Sequence, residues 1–112
     1  MKEIEGQLCI ENIPVINLAR EYGSPLFIYS AEQIKNNFEK YQNELGSNDL
    51  ICYAVKANSN LHILKLLSEL GSGFDVVSGN ELKRCLTAGA DKNKIVFSGV
   101  AKSNEEIKLA IE

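Results

Sequence analysis

The stretch ICYAVKANSNLHILKLLSELGSGFDVVSGNEL, residues 51–82, holds one full period of a repeat: apolar run, helix-period segment, glycine pair, apolar run. Alternation over its first six residues puts Ile51, Tyr53 and Val55 on one face of a strand and Cys52, Ala54 and Lys56 on the other. From Asn60 to Leu70 two leucine-rich rows recur at helical spacing, Leu61, Leu64, Leu67 and Ile63, Leu66, Leu70, and Gly71 closes the helix. FDVVS, 74–78, reads as a second strand, followed by a helix over 80–88 with Leu82, Cys85 and Leu86 inward and Gly89 at its end. KIVFS, 94–98, is a third strand. The capping box Ser103-Asn-Glu-Glu106 then opens a last helix with Ile107, Ala110 and Ile111 along one side. Strands recurring about every 22 residues with helices between them predict an α/β layer with parallel pairing.

Such a regular short βα repeat is how the opening of a TIM-type (β/α)8 barrel reads, and a complete barrel requires about 250 residues. The chain reaches Ile111-Glu112 inside an amphipathic helix, so the expectation is the amino-terminal part of something larger. Residues 1–30 have a different texture. QLCIENIPV reads as a short strand and turn, INLAREYG as a short helix closed by Gly23, and PLFIYS as a strand. Ser30-Ala-Glu-Gln33 is a capping box opening a helix whose apolar stripe is Ile34, Phe38, Tyr41 and Leu45.

Composition bounds the function classes. Apolar residues make up 45% and charged residues 24%, an ordinary globular balance. Twelve Lys and Arg against fifteen Asp and Glu, without long like-sign runs, offer no nucleic-acid patch and no surface for an anionic membrane. MKEIEG lacks an apolar signal core, no run is long enough to span a bilayer, and a cytoplasmic location is the default. Cys9, Cys52 and Cys85 are scattered, which argues against a disulfide framework or a zinc site; each reads as a small buried hydrophobe. His62, the one histidine, sits in a helical first turn facing solvent and excludes a His-based metal cluster within this chain.

In α/β layers function gathers at the carboxyl ends of the strands. Lys56-Ala-Asn58, Ser78-Gly-Asn-Glu81 and Ser98-Gly-Val-Ala-Lys102 fall there. Asp75 lies inside the second strand between apolar residues and needs a partner, because an unpaired buried carboxylate costs several kcal/mol, and Lys56 on the neighbouring strand is the nearest candidate cation. A lysine among apolar neighbours can lose its proton near neutral pH and form a Schiff base with a carbonyl, whereas a nearby carboxylate favours the ammonium. On spacing alone the Lys56–Asp75 pair reads equally as catalytic machinery or as a structural ion pair closing the sheet. Ser78 and Glu81 form a further capping box, the Ser-Gly of FSGVAK is a weak phosphate signal, and Gly71-Ser-Gly73 is a tight turn at the other end of the layer.

YGSPLFIY (22–29), YAVKANSN (53–60), GFDVVSGNEL (73–82) and IVFSGVAKSNEEI (95–107) together closely resemble the amino-terminal quarter of the diaminopimelate decarboxylases. These are pyridoxal-phosphate enzymes built from an alanine-racemase-like barrel and a β-domain. The resemblance implies that Lys56 holds pyridoxal 5′-phosphate, that Asp75 belongs to the polar network beside it, and that Glu81 fills a family position without an assigned role. It implies residues 1–30 partly in the β-domain, residues 31–112 as the first part of the cofactor-binding barrel, and a homodimer acting on a small amino acid, meso-2,6-diaminopimelate, to give L-lysine and CO2. Asn80 and Ala101 stand where relatives often carry glycine. The family's phosphate-binding glycines, pyridine-nitrogen carboxylate, stacking histidine and partner-subunit cysteine motif are expected beyond Glu112, which makes the 112 residues alone inactive. A sister decarboxylase acting on ornithine, arginine or carboxynorspermidine, and a non-catalytic α/β binding module, are the competing readings.

Overall fold

Two three-stranded sheets form, one antiparallel and one parallel. The computed structural model describes all residues 1–112, as two units, Met1–Ile34 and Lys35–Glu112.

In the first unit β1 (Lys2–Ile4), β2 (Gln7–Ile10) and β3 (Ile13–Pro14) make a meander whose first strand carried no signal in the sequence reading. Its connections are two-residue loops, Glu5-Gly6 and Glu11-Asn12, and all four residues have positive φ, the combination that matches the twist of a tight hairpin. Helix α1 (Val15–Tyr22) follows directly and ends at Gly23, whose φ of 87° leaves the helical region. PLFIYS forms no strand: none of the six strands pairs with it, and Phe27 is 85% exposed. An apolar run becomes a strand only where another backbone supplies the ladder.

Helix α2 (Ala31–Glu44) begins as the sequence predicts, with the Ser30 hydroxyl oxygen accepting the Gln33 amide at 2.9 Å. Glu11 reinforces this start from the β2–β3 turn. Its carboxylate accepts the Ser30 hydroxyl and, at 2.7 Å, the Glu32 amide, and these two bonds hold its pKa below the usual range.

In the second unit Phe38 is the one buried residue of the predicted α2 stripe; Tyr41 is 70% exposed and Leu45 lies past the helix end. Strands β4 (Cys52–Ala54), β5 (Gly73–Val76) and β6 (Ile95–Phe97) lie side by side in sequence order, all parallel, joined by α3 (Leu61–Glu69) and α4 (Gly79–Thr87), with α5 (Asn104–Ile111) after β6. Gly71 and Gly89 end their helices at φ 89° and 86°, as read from the sequence. The α/β expectation holds at the level of a parallel sheet with helical crossovers.

Register assigns the two faces. Tyr53, Phe74 and Ile95 are partners on one side; Ala54, Asp75 and Val96 are partners on the other. The first side is the core, where Val55, Leu64, Phe74, Val76 and Cys85 are fully buried beside Leu67 and Leu82. Leu86, predicted inward, is 46% exposed, and Ile107, on the predicted apolar side of the last helix, is 43% exposed. Helix α5 instead docks through Glu106 and Leu109, both within 3.3 Å of where a Cβ on Gly79 would stand. Gly73 is required more strictly: a Cβ there would stand 2.5 Å from the Lys94 carbonyl oxygen.

Candidate active site

The predicted strand through Lys56 stops two residues early. After Ala54 the chain turns into a single 3-10 turn, Val55–Ala57, which buries Val55 completely and leaves Lys56 exposed at the carboxyl end of the sheet. Alternation therefore ends at Ala54, and Lys56 does not share a strand face with Cys52 and Ala54. The reason is the burial of Val55, which anchors the turn in the core.

The segment after Lys56 is tied down by side chains. Asn58 Oδ1 accepts the Asn60 amide at 3.0 Å, and Asn60 Oδ1 caps α3 by accepting the His62 amide at 2.9 Å. The Tyr53 hydroxyl donates to the Asn58 carbonyl at 3.2 Å, and Arg84 Nε donates to the Ser59 carbonyl at 2.8 Å. His62 faces solvent, as expected.

Asp75 is half-buried on the open side of the sheet, and its partner is Ser98, not Lys56. The Ser98 hydroxyl donates to Asp75 Oδ1 at 2.5 Å, while the ion pairs within 4.0 Å are Lys35–Glu39 and Lys65–Glu69. The predicted Lys56–Asp75 ion pair is thus corrected: the strand-end turn carries Lys56 past the strand, and a hydroxyl one strand over meets the carboxylate's need. The signal for it was present, since Ser98 lies two residues beyond Val96, the register partner of Asp75. Cys52 completes this side; its thiol pKa is raised by burial and then by the Asp75 carboxylate. Cys85, in the core, is pushed up to about 11 by burial and then by Glu81. Both therefore stay thiols at neutral pH and are poor nucleophiles. No three His, Cys, Asp or Glu side chains converge where a metal ion could be held.

The helix starts around this end are filled from within. In α4 the Glu81 amide goes to Ser78 Oγ, the Gly79 amide to Glu106 Oε1 at 2.7 Å, and the Val77 amide to Glu81 Oε2 at 2.7 Å. Glu81 thus serves the helix start, though it reaches Val77 and not the Ser78 amide of a strict capping box. In α5 the Ser103–Glu106 box is complete, so Glu106 bonds both helix starts, and these two amides, Gly79 first, hold its pKa down. In FSGVAK, Lys102 folds back onto the Gly99 carbonyl at 2.6 Å and lies 5.3 Å from the centroid of the Phe97 ring. At these starts the Gly79, Glu81, Ser103 and Glu106 amides already have side-chain acceptors within the chain.

A family model, the pyridoxal binding domain of pyridoxal-dependent decarboxylases, matches residues 31–112. The chain belongs to the pyridoxal-dependent decarboxylases. Among curated members, the diaminopimelate decarboxylase of Vibrio cholerae is 49% identical over 109 residues, covering 96% of this chain and 26% of the relative. The crystal structure of diaminopimelate decarboxylase from Methanocaldococcus jannaschii in complex with L-lysine superposes with a TM-score of 0.88 at 39% identity, over 98% of this chain and 27% of that one. The lysine decarboxylase of Selenomonas ruminantium follows at 0.79 and 28%, over 93% and 27%. The chain spans about a quarter of the length of these relatives.

The residues present fit one end of the family's cofactor. A primary amine stands exposed on a turn braced on both sides, next to a strand whose open face carries small side chains and a hydrogen-bonded carboxylate. An aldehyde requires such an amine for covalent attachment. The phosphate end has no counterpart at the helix starts just described.

Proposed function

We propose that this protein decarboxylates meso-2,6-diaminopimelate to L-lysine and CO2, with pyridoxal 5′-phosphate carried on Lys56. The observation that carries the reading is the 49% identity to a diaminopimelate decarboxylase across 96% of the chain, against 28% for the lysine decarboxylase structure. Bound pyridoxal phosphate supplies an electron-poor ring that accepts the electron pair left when carbon dioxide departs. The chain's own contribution is positional. Lys56 presents its amine at the sheet end, and the bracing of residues 58 and 59 limits where it points. Asp75, fixed by Ser98, supplies negative charge on the open face, where it favours a cation in the site.

The same reading makes residues 31–112 the first βα units of a (β/α)8 barrel, supported by three parallel strands in sequence order, and makes residues 1–30 partly a β-domain, supported by their antiparallel meander. It also includes a homodimer in the cytoplasm and predicts no activity from the 112 residues by themselves.

Borohydride reduction of the protein as purified from its host, followed by peptide mapping and a substrate panel, tests it. The expected result is a phosphopyridoxyl group on Lys56 and turnover of meso-diaminopimelate ahead of ornithine, arginine, carboxynorspermidine and lysine. A label on another lysine, or preference for another amino acid, overturns the reading.

A further inference from the structure

Two consecutive carbonyls just downstream of Lys56, those of Asn58 and Ser59, are each gripped by a side chain from outside the loop. Tyr53 belongs to the strand that leads into the turn, so its bond closes a local ring. Arg84 differs. It lies 25 residues away in sequence on α4, between the buried anchors Leu82 and Cys85, so its guanidinium ties the Lys56 loop to the β5–α4 unit. A charged donor on a neutral carbonyl makes a stronger bond than an amide does. The planar guanidinium also fixes direction, which a lysine ammonium on a flexible stem does not. Upstream, Val55 is fully buried, so Lys56 is suspended between a core anchor and the Arg84 clasp.

We propose that Arg84 is a positioning residue for Lys56, holding the 56–60 loop so that the lysine amine is presented for attachment of the cofactor aldehyde. The inference rests on the reading of Lys56 as the cofactor's anchor. Arg84 is exposed and its helix is anchored by other residues, so its replacement leaves the fold in place. Small displacements of a reacting group carry large rate penalties, which makes a clasp at this distance matter to chemistry.

The test uses the protein as its host makes it, first with and then stripped of pyridoxal phosphate. Peptide mapping of the reduced, unsubstituted protein comes first; a label away from Lys56 overturns the Lys56 reading and this role together, before Arg84 is touched. In the stripped Arg84→Ala protein, amide hydrogen exchange over residues 56–60 is expected to quicken roughly tenfold, the scale of losing one hydrogen bond to a charged group, with β5 and the core of α4 unchanged. The rate at which added pyridoxal phosphate develops its lysine-bound absorption band falls by a similar factor, and Arg84→Lys restores part of both. Unchanged exchange and uptake overturn the proposal. So does exchange that rises uniformly across the β4–α5 region, because that marks Arg84 as a general stabiliser.

Discussion

The two sides of the parallel sheet are built to opposite rules. On one, Val55, Phe74 and Val76 are wholly buried; on the other, Cys52, Ala54 and Asp75 stay half-open and Val96 is 51% exposed. Adjacent residues of a single strand, Phe74 and Asp75, serve both. The first side carries the hydrophobic stabilisation, roughly 1.5–3 kcal/mol per large side chain. The second has small side chains, a carboxylate and a hydroxyl, and within these 112 residues it buries less apolar surface. The proposed chemistry and the apolar burial therefore fall on different residues of the same strand.

That separation can be broken in a definite order. In the protein as its host makes it, Lys56→Ala is expected to reduce decarboxylation by about 10³-fold or more and to abolish borohydride labelling, while thermal denaturation of the cofactor-stripped form shifts little because Lys56 is exposed. Phe74→Ala, one face away from Asp75, should cost about 3–5 kcal/mol in denaturant unfolding, and the folded fraction should still take up pyridoxal phosphate. Gly73→Ala forces a Cβ against the Lys94 carbonyl and should cost about 1–3 kcal/mol by the same assay. Should Phe74→Ala abolish uptake in the folded fraction, the two faces are not independent.

Asp75→Asn sharpens the contrast from the other side. It keeps the shape and an acceptor for Ser98, so stability should hold while turnover falls by roughly 10–100-fold, read from steady-state kinetics. The smallest effect belongs to Glu106. Its pKa is lowered in the folded state by the Gly79 and Ser103 amides, so its stabilisation is present above the unfolded value of 4.5 and is lost as pH falls through the lowered folded value. Melting temperature followed downward from pH 6 should fall less steeply in Glu106→Gln than in the unsubstituted protein.

Much of this was legible in the sequence because it is local. The 3.6 and 2 periodicities located α3, α4 and the three parallel strands, and the serine–glutamate spacing located the α5 cap with both its bonds. The failures share a cause. PLFIYS alternates like a strand but has no partner, the β1 hairpin depends on positive φ at Glu5 that composition does not signal, and Leu86 and Ile107 have helical spacing yet lie outside the packed faces. Among the candidate site residues, Lys56 could be picked out by its place at a strand end and Asp75 as a carboxylate inside an apolar strand. Arg84 could not, since nothing in its neighbourhood points to Ser59.

The sequence by itself determined the alternation of strands and helices from β4 to α5 and their parallel layer, because each is written in patterns spanning fewer than about ten residues. Only the tertiary structure decided who partners whom: Asp75 with Ser98, Ser59 with Arg84, and Gly79 with Glu106, at separations of 23, 25 and 27 residues. Those pairings follow from strand register and helix docking, which the whole fold sets through burial of the face that carries Phe74 and Val76.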